Sequence, residues 1–126
     1  MKEKLIKVWE TYSTKEMAKV FQNYMISKGI NKRDERKKDN SNTYIIHRAG
    51  WNRIQCYYHK ENMKYANENL HIVLRKEAGN YMIIERKSVR VFEVDYRGVT
   101  EYNEKLLCEI MTEHKELFDM LFSKIN

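Results

Sequence analysis

Glu85, Arg86 and Lys87 follow the apolar run Tyr81-Met82-Ile83-Ile84, which sets a carboxylate and an amine on one face of a strand end. Metal-dependent nucleases use such a pair, the carboxylate holding the ion and the amine orienting the attacking water. The chemistry needs another carboxylate from a neighbouring strand. Residues 70–76 offer none, and Glu68 and Glu77 lie only at their ends, so Glu85 and Lys87 also read as a strand emerging into solvent. His47, His59, His71 and Cys56 are zinc-ligand types. Cys56 and His59 stand three apart, which sends them to opposite faces of a strand, and His47 and His71 belong to other segments. A metal-free alternative would use His47 or His59 as general base, with Arg48, Arg53 or Lys60 stabilising phosphate charge. Convergence of those groups is not encoded in their spacing. His114 falls on the apolar side of the last helix, as a core-edge residue. With four glycines and neither a phosphate-binding loop nor a G-x-S-x-G elbow, no catalytic residue, metal or cofactor is assigned.

Binding chemistry is better represented. Lys32, Arg33, Arg36, Lys37 and Lys38 lie in the stretch 28–38, KGINKRDERKK, and each could neutralise a phosphate with release of counterions. Nearby, Arg48, Arg53 and Lys60 alternate with Trp51, Tyr57 and Tyr58, aromatic faces on which unpaired bases stack. Outward alternation of Arg53, Gln55 and Tyr57, with Ile54, Cys56 and Tyr58 inward, makes a shared Arg/Tyr surface possible. Against this, Asp34, Glu35 and Asp39 soften the run, which also suits a plain solvated connector.

The formal net charge of +6 is unevenly placed: residues 1–60 carry a balance of +8, residues 61–98 of +1 and residues 99–126 of −3. One end of the molecule therefore carries a positive field that attracts phosphate backbones or acidic protein surfaces. A chain of 126 residues with 42% apolar residues can bury a core as a single domain, here 1–126. Cys56 and Cys108 have no C-x-x-C pairing and read as reduced packing thiols of a cytoplasmic protein. No apolar run approaches the length of a membrane span, and the charged N-terminus lacks a signal-peptide core. The absence of proline, with abundant Lys, Asn, Ile and Tyr, suits an AT-rich genome such as that of a phage or mobile element.

The elements that must position these groups follow from periodicity. Leu5, Ile6, Trp9 and Tyr12 mark a first helix, and Ser13 with Glu16 forms a capping box that starts a second. Met17, Val20, Phe21, Tyr24 and Met25 form its buried face, and Gly29 supplies a left-handed cap after an end near Ser27. No apolar residue occurs from 31 to 42, so 28–42 is expected to be a mobile basic loop. Residues 44–48 and 53–58 flank Ala49-Gly50-Trp51-Asn52 as a hairpin, and 70–76 and 81–87 flank Glu77-Ala78-Gly79-Asn80 as a second. Residues 59–69 read as a short helix or loop, and 89–96 as a strand broken by Arg97-Gly98. Thr100 is expected to cap one long C-terminal helix. Its stripe of Tyr102, Leu106, Leu107, Ile110, Met111, Leu117, Phe118, Leu121, Phe122 and Ile125 is wide enough to meet the N-terminal helices or another chain.

The expected architecture is α+β: two N-terminal helices, a central antiparallel sheet of about four or five strands in two hairpins, and a long amphipathic C-terminal helix packed on it. The expected function is non-enzymatic binding of nucleic acid or a nucleic-acid–protein complex through Lys32, Arg33, Arg36, Lys37, Lys38, Arg48, Trp51, Arg53, Tyr57 and Lys60. Three alternatives stand beside it: a mobile-element inhibitor docking on an acidic host protein or ribonucleoprotein, a small nuclease, and a homodimer joined through the C-terminal helix.

Overall fold

The computed structural model describes residues 1–29, 44–45, 55–67 and 69–125, with backbone alone at 44–45. Among the described residues, two helices, α1 (Lys2–Thr11) and α2 (Thr14–Ser27), precede seven strands: β1 (Tyr44–Ile45), β2 (Gln55–His59), β3 (Asn62–Ala66), β4 (His71–Arg75), β5 (Tyr81–Arg86), β6 (Val89–Asp95) and β7 (Gly98–Tyr102). Two further helices, α3 (Glu104–Glu113) and α4 (Lys115–Ser123), follow. The strands form one antiparallel meander in chain order, β1 to β7. The α+β class, the N-terminal helix pair, the sheet and the helical C-terminus are as expected.

Local chemistry explains the helix ends. The Glu16 amide donates to Ser13 Oγ at 3.1 Å, and the Ser13 amide donates to Glu16 Oε1 at 3.1 Å, so two orphan donors are satisfied reciprocally at the start of α2. Gly29 closes that helix at φ +73°, its amide donating to Ile26 O.

Three elements differ from expectation. Residues 62–66 are not helix or loop but β3, with Met63 and Tyr65 buried between Asn62, Lys64 and Ala66. Thr100 is no helix cap: Arg97-Gly98 makes a turn with Gly98 at φ +107°, and 98–102 continues as β7. The cap is instead Asn103, whose Oδ1 accepts from the Leu106 amide at 3.1 Å. The C-terminal helix is not continuous, because His114 at φ −116°, ψ 40° separates α3 from α4. Residues 30–42 of the expected basic loop 28–42, and the first hairpin's turn, 49–52, lie outside the described residues. The pairing that frames that turn is present, with Tyr44 opposite Tyr58 and Ile45 opposite Tyr57.

The helices pack on one face of the sheet. Two inward rows run across it by register: Tyr58, Met63, Leu74, Met82, Val94 and Val99, and beside them Cys56, Tyr65, Ile72, Ile84, Phe92 and Tyr102. Against them lie Met17, Phe21 and Met25 of α2, Leu107 and Ile110 of α3, and Leu117, Phe118 and Leu121 of α4, all buried in one apolar cluster. Phe21 stacks on Tyr65 at 4.4 Å between ring centroids, worth about 0.5–1.5 kcal/mol beyond its buried area. Polar ties fix the helices to one another and to the turns of the sheet. Tyr12 Oη donates to Leu121 O at 2.7 Å, Thr14 Oγ1 to Lys60 O at 2.9 Å and Trp9 Nε1 to Asn80 Oδ1 at 3.2 Å. Lys76 donates to Trp9 O and lies over the Trp9 ring. The wide C-terminal stripe therefore meets the N-terminal helices, as its breadth allowed. No described helix is long and apolar enough to cross a membrane.

Candidate functional site

One-sided packing leaves the opposite sheet face in solvent among the described residues. Alternation places there every second side chain from β2 to β7. Its central row, by register, is Tyr57, Lys64, Val73, Ile83, Glu93 and Glu101. A second row holds Gln55, Ala66, His71, Glu85 and Arg90, and a third His59, Asn62, Arg75 and Tyr81. These residues are half-buried or exposed, in contrast to the closed inner rows. A bulge at Ile84/Glu85 inserts Val91 as an extra buried residue, which keeps Arg90 and Glu93 on the outer face.

Charge separates across this face. Its β2–β4 half presents Lys64 and Arg75 with Tyr57, His59 and His71, whereas its β5–β7 half presents Glu85, Glu93 and Glu101. Arg90 is the cation of the second half and is held by Glu93 at 3.3 Å. Glu93 also accepts from Thr100 Oγ1 at 2.7 Å. Between the two halves lie the apolar side chains of Val73 and Ile83.

Of the ten expected binding residues, the structure describes two. Tyr57 lies half-buried in the central outer row beside Lys64, and Gln55 shares its face while Cys56 and Tyr58 point inward, as alternation required. Lys60 is exposed in the β2–β3 turn at φ 51°, fixed there by the Thr14 hydroxyl on its carbonyl. Lys32, Arg33, Arg36, Lys37, Lys38, Arg48, Trp51 and Arg53 lie outside the described residues, as does His47. Sequence reasoning did not select Lys64, Arg75 and Tyr81: outward alternation within 70–76 and 81–87 carried the signal for Arg75 and Tyr81, whereas Lys64 lay in a segment read as helix or loop.

The groups considered for catalysis are distributed differently. Glu85 is on the outer face opposite His71 on β4 and Arg90 on β6. Lys87 sits in the β5–β6 turn at φ 50°, past the last residue of β5, so strand alternation no longer sets it beside Glu85. Arg86 points to the helix side and bridges Glu113 at 2.8 Å and Glu109 at 3.6 Å. No group of three or more His, Cys, Asp or Glu among the described residues could hold a metal ion.

The thiols differ from each other. Cys56 is buried, its Sγ 3.5 Å from Ala18 O, and burial pushes its pKa up to about 12. Cys108 is not a packing residue: it is exposed on α3, at the rim of a concavity of about 430 Å³ also lined by Met111, Phe118 and Phe122. Lys4 stands over the Phe122 ring at that concavity, 5.3 Å from its centroid. His114 is at the core edge, with a buried Nε2 that has no hydrogen-bond partner. Burial lowers its pKa, assisted by Arg86 and opposed by Glu113.

Comparison with protein-family models, with curated proteins and with solved structures finds no match to this chain.

Proposed function

We propose that this chain is a small non-enzymatic binding protein that contacts nucleic acid, or a complex of nucleic acid and protein, from the β1–β2 end of its sheet. The observation that carries the reading is the segregation of charge. Lys64 and Arg75 of the open face, with Tyr57, lie on β2–β4, and the chain's excess Lys and Arg falls in residues 1–60, while Glu85, Glu93 and Glu101 lie on β5–β7, where Arg90 is held by Glu93. A phosphate backbone is drawn to the first end and repelled from the second. Lys32, Arg33, Arg36, Lys37, Lys38, Arg48, Arg53 and Lys60 are assigned to phosphates, and Trp51 and Tyr57 to base stacking. Two free thiols suit a cytoplasmic location.

The test is fluorescence-anisotropy binding to short single-stranded and duplex DNA and RNA, at low and near-physiological salt. A variant with Lys32, Arg33, Arg36, Lys37 and Lys38 replaced by Ser is measured beside the parent. Binding by the parent at near-physiological salt, with most affinity lost in the variant, is the expected result. Binding by neither protein, or by both only at low salt, would reject the assignment and turn the search to an acidic host protein, the inhibitor reading.

A further inference from the structure

We infer that the open sheet face is a self-complementary interface that takes a second copy of this chain, giving a face-to-face dimer with two-fold symmetry. The register of the outer rows is what carries this pairing. An isologous contact requires that each patch meet the complement it itself carries, and in stacked sheets the two-fold axis lies in the interface plane. An axis parallel to the strands, over the seam between β4 and β5, lays β4 on the second copy's β5 and β3 on its β6.

Under that operation the central row maps onto its own reversal. Val73 meets the second copy's Ile83, and Lys64 meets its Glu93. In the flanking rows His71 meets the second copy's Glu85, and Arg75 meets its Tyr81, an arrangement that suits cation–π contact. The pairings nearest the axis are apolar with apolar, imidazole with carboxylate and cation with ring; one strand further out Lys64 meets Glu93, while Ala66 meets Arg90 without a complement. Each also occurs twice, once on either side of the axis.

The other in-plane axis, perpendicular to the strands along the central row, fails the same comparison. It sets Lys64 against Lys64 and Glu93 against Glu93, and like charges in direct opposition are destabilising. Facing sheets pack about 10 Å apart with strands within about 30° of each other, so the complementarity is strongest at the seam and relaxes towards β2 and β7. Nucleic acid is a poorer occupant of the whole face, because Glu85, Glu93 and Glu101 oppose phosphate on half of it. The dimer does not depend on the proposed nucleic-acid contact. Lys60, in a turn beyond the outer rows, stays outside the interface, whereas Tyr57, at the end of the central row, faces the second copy's Glu101, so base stacking on Tyr57 belongs to the monomer.

Charge reversal tests the pairing directly. Sedimentation equilibrium without nucleic acid should give twice the monomer mass for the parent. Lys64→Glu and Glu93→Lys should each weaken self-association about tenfold or more, with far-UV circular dichroism and melting transition preserved. Mixing the two variants should restore the dimer, because each chain then supplies the charge the other lacks. Val73→Asp, at the apolar seam, should abolish it. The inference is overturned by a parent that stays monomeric at the highest soluble concentration. It is equally overturned by single reversals that leave the dimer intact, by a mixture that fails to associate, or by an oligonucleotide that protects the Val73 and Ile83 amides of a monomeric parent from exchange.

Discussion

Cys56 and Cys108 have the same chemistry in opposite surroundings, and the difference is measurable. Cys56 is enclosed between α2 and the sheet, where forming a thiolate would cost its desolvation, whereas Cys108 stands in solvent. Iodoacetamide under native conditions should therefore add once, at Cys108, and twice in denaturant, as read by intact mass and peptide mapping. Equal native labelling of both thiols would contradict the packing around Cys56. His114 makes a second residue-level case. Its folded pKa lies below the ordinary value of 6.5, so below that pH the unfolded chain binds a proton that the folded chain resists. Stability should fall as pH drops from about 6.5 through the folded pKa, with a slope of at most about 1.4 kcal/mol per pH unit from this group. Urea midpoints between pH 7 and 5 should show a shallower acid limb in His114→Leu than in the parent. An identical limb would mean that another group titrates.

At the level of elements, the ends were more legible than the identities. Ser13 and Glu16 announced the start of α2 because a capping box is local chemistry, complete within four residues. Ser13→Ala should cost about 1 kcal/mol in urea unfolding, and Asn103→Ala about the same, since each leaves a first-turn amide without its acceptor. An unchanged midpoint in either would show that water replaces the cap at no loss. The strands β3 and β7 were harder to read for a physical reason. β3 has only Met63 and Tyr65 as large apolar residues, and its strand state is set by pairing with β2 and β4. β7 has no buried residue, and Thr100 and Glu101 look like a helix start until Glu101 pairs with Glu93 of β6 and the Thr100 hydroxyl donates to the Glu93 carboxylate. The break at His114 is similar. The apolar stripe runs through it without interruption, so periodicity alone predicts one helix where backbone geometry makes two. The candidate site shows the same limit. Tyr57 and Lys60 could be named from alternation and charge. The row linking Tyr57 to Lys64, Val73, Ile83, Glu93 and Glu101 exists only once five strand pairings are in register.

For the whole molecule, the proposed function makes the position of charge matter more than its amount. A generic polycation binds nucleic acid according to net charge, and removing any two cations weakens it alike. An oriented binder loses affinity only where the removed cations face phosphate, and the slope of log affinity against log salt falls by about 0.7–0.9 for each phosphate no longer neutralised. Two variants separate these cases at equal charge. Lys37→Gln with Lys38→Gln, and Lys87→Gln with Lys105→Gln, each lower the formal net charge from +6 by two. Lys87 and Lys105 are exposed at the end of the molecule that carries Glu85, Glu101, Glu104 and Glu109, so they contribute little where the backbone is proposed to lie. The first variant should bind single-stranded RNA or DNA more weakly, with a salt slope shallower by about 1.4–1.8, while the second keeps the parental slope. Equal losses in both would mean that the field acts without orientation, and the β1–β2 end would lose its assignment as the binding edge.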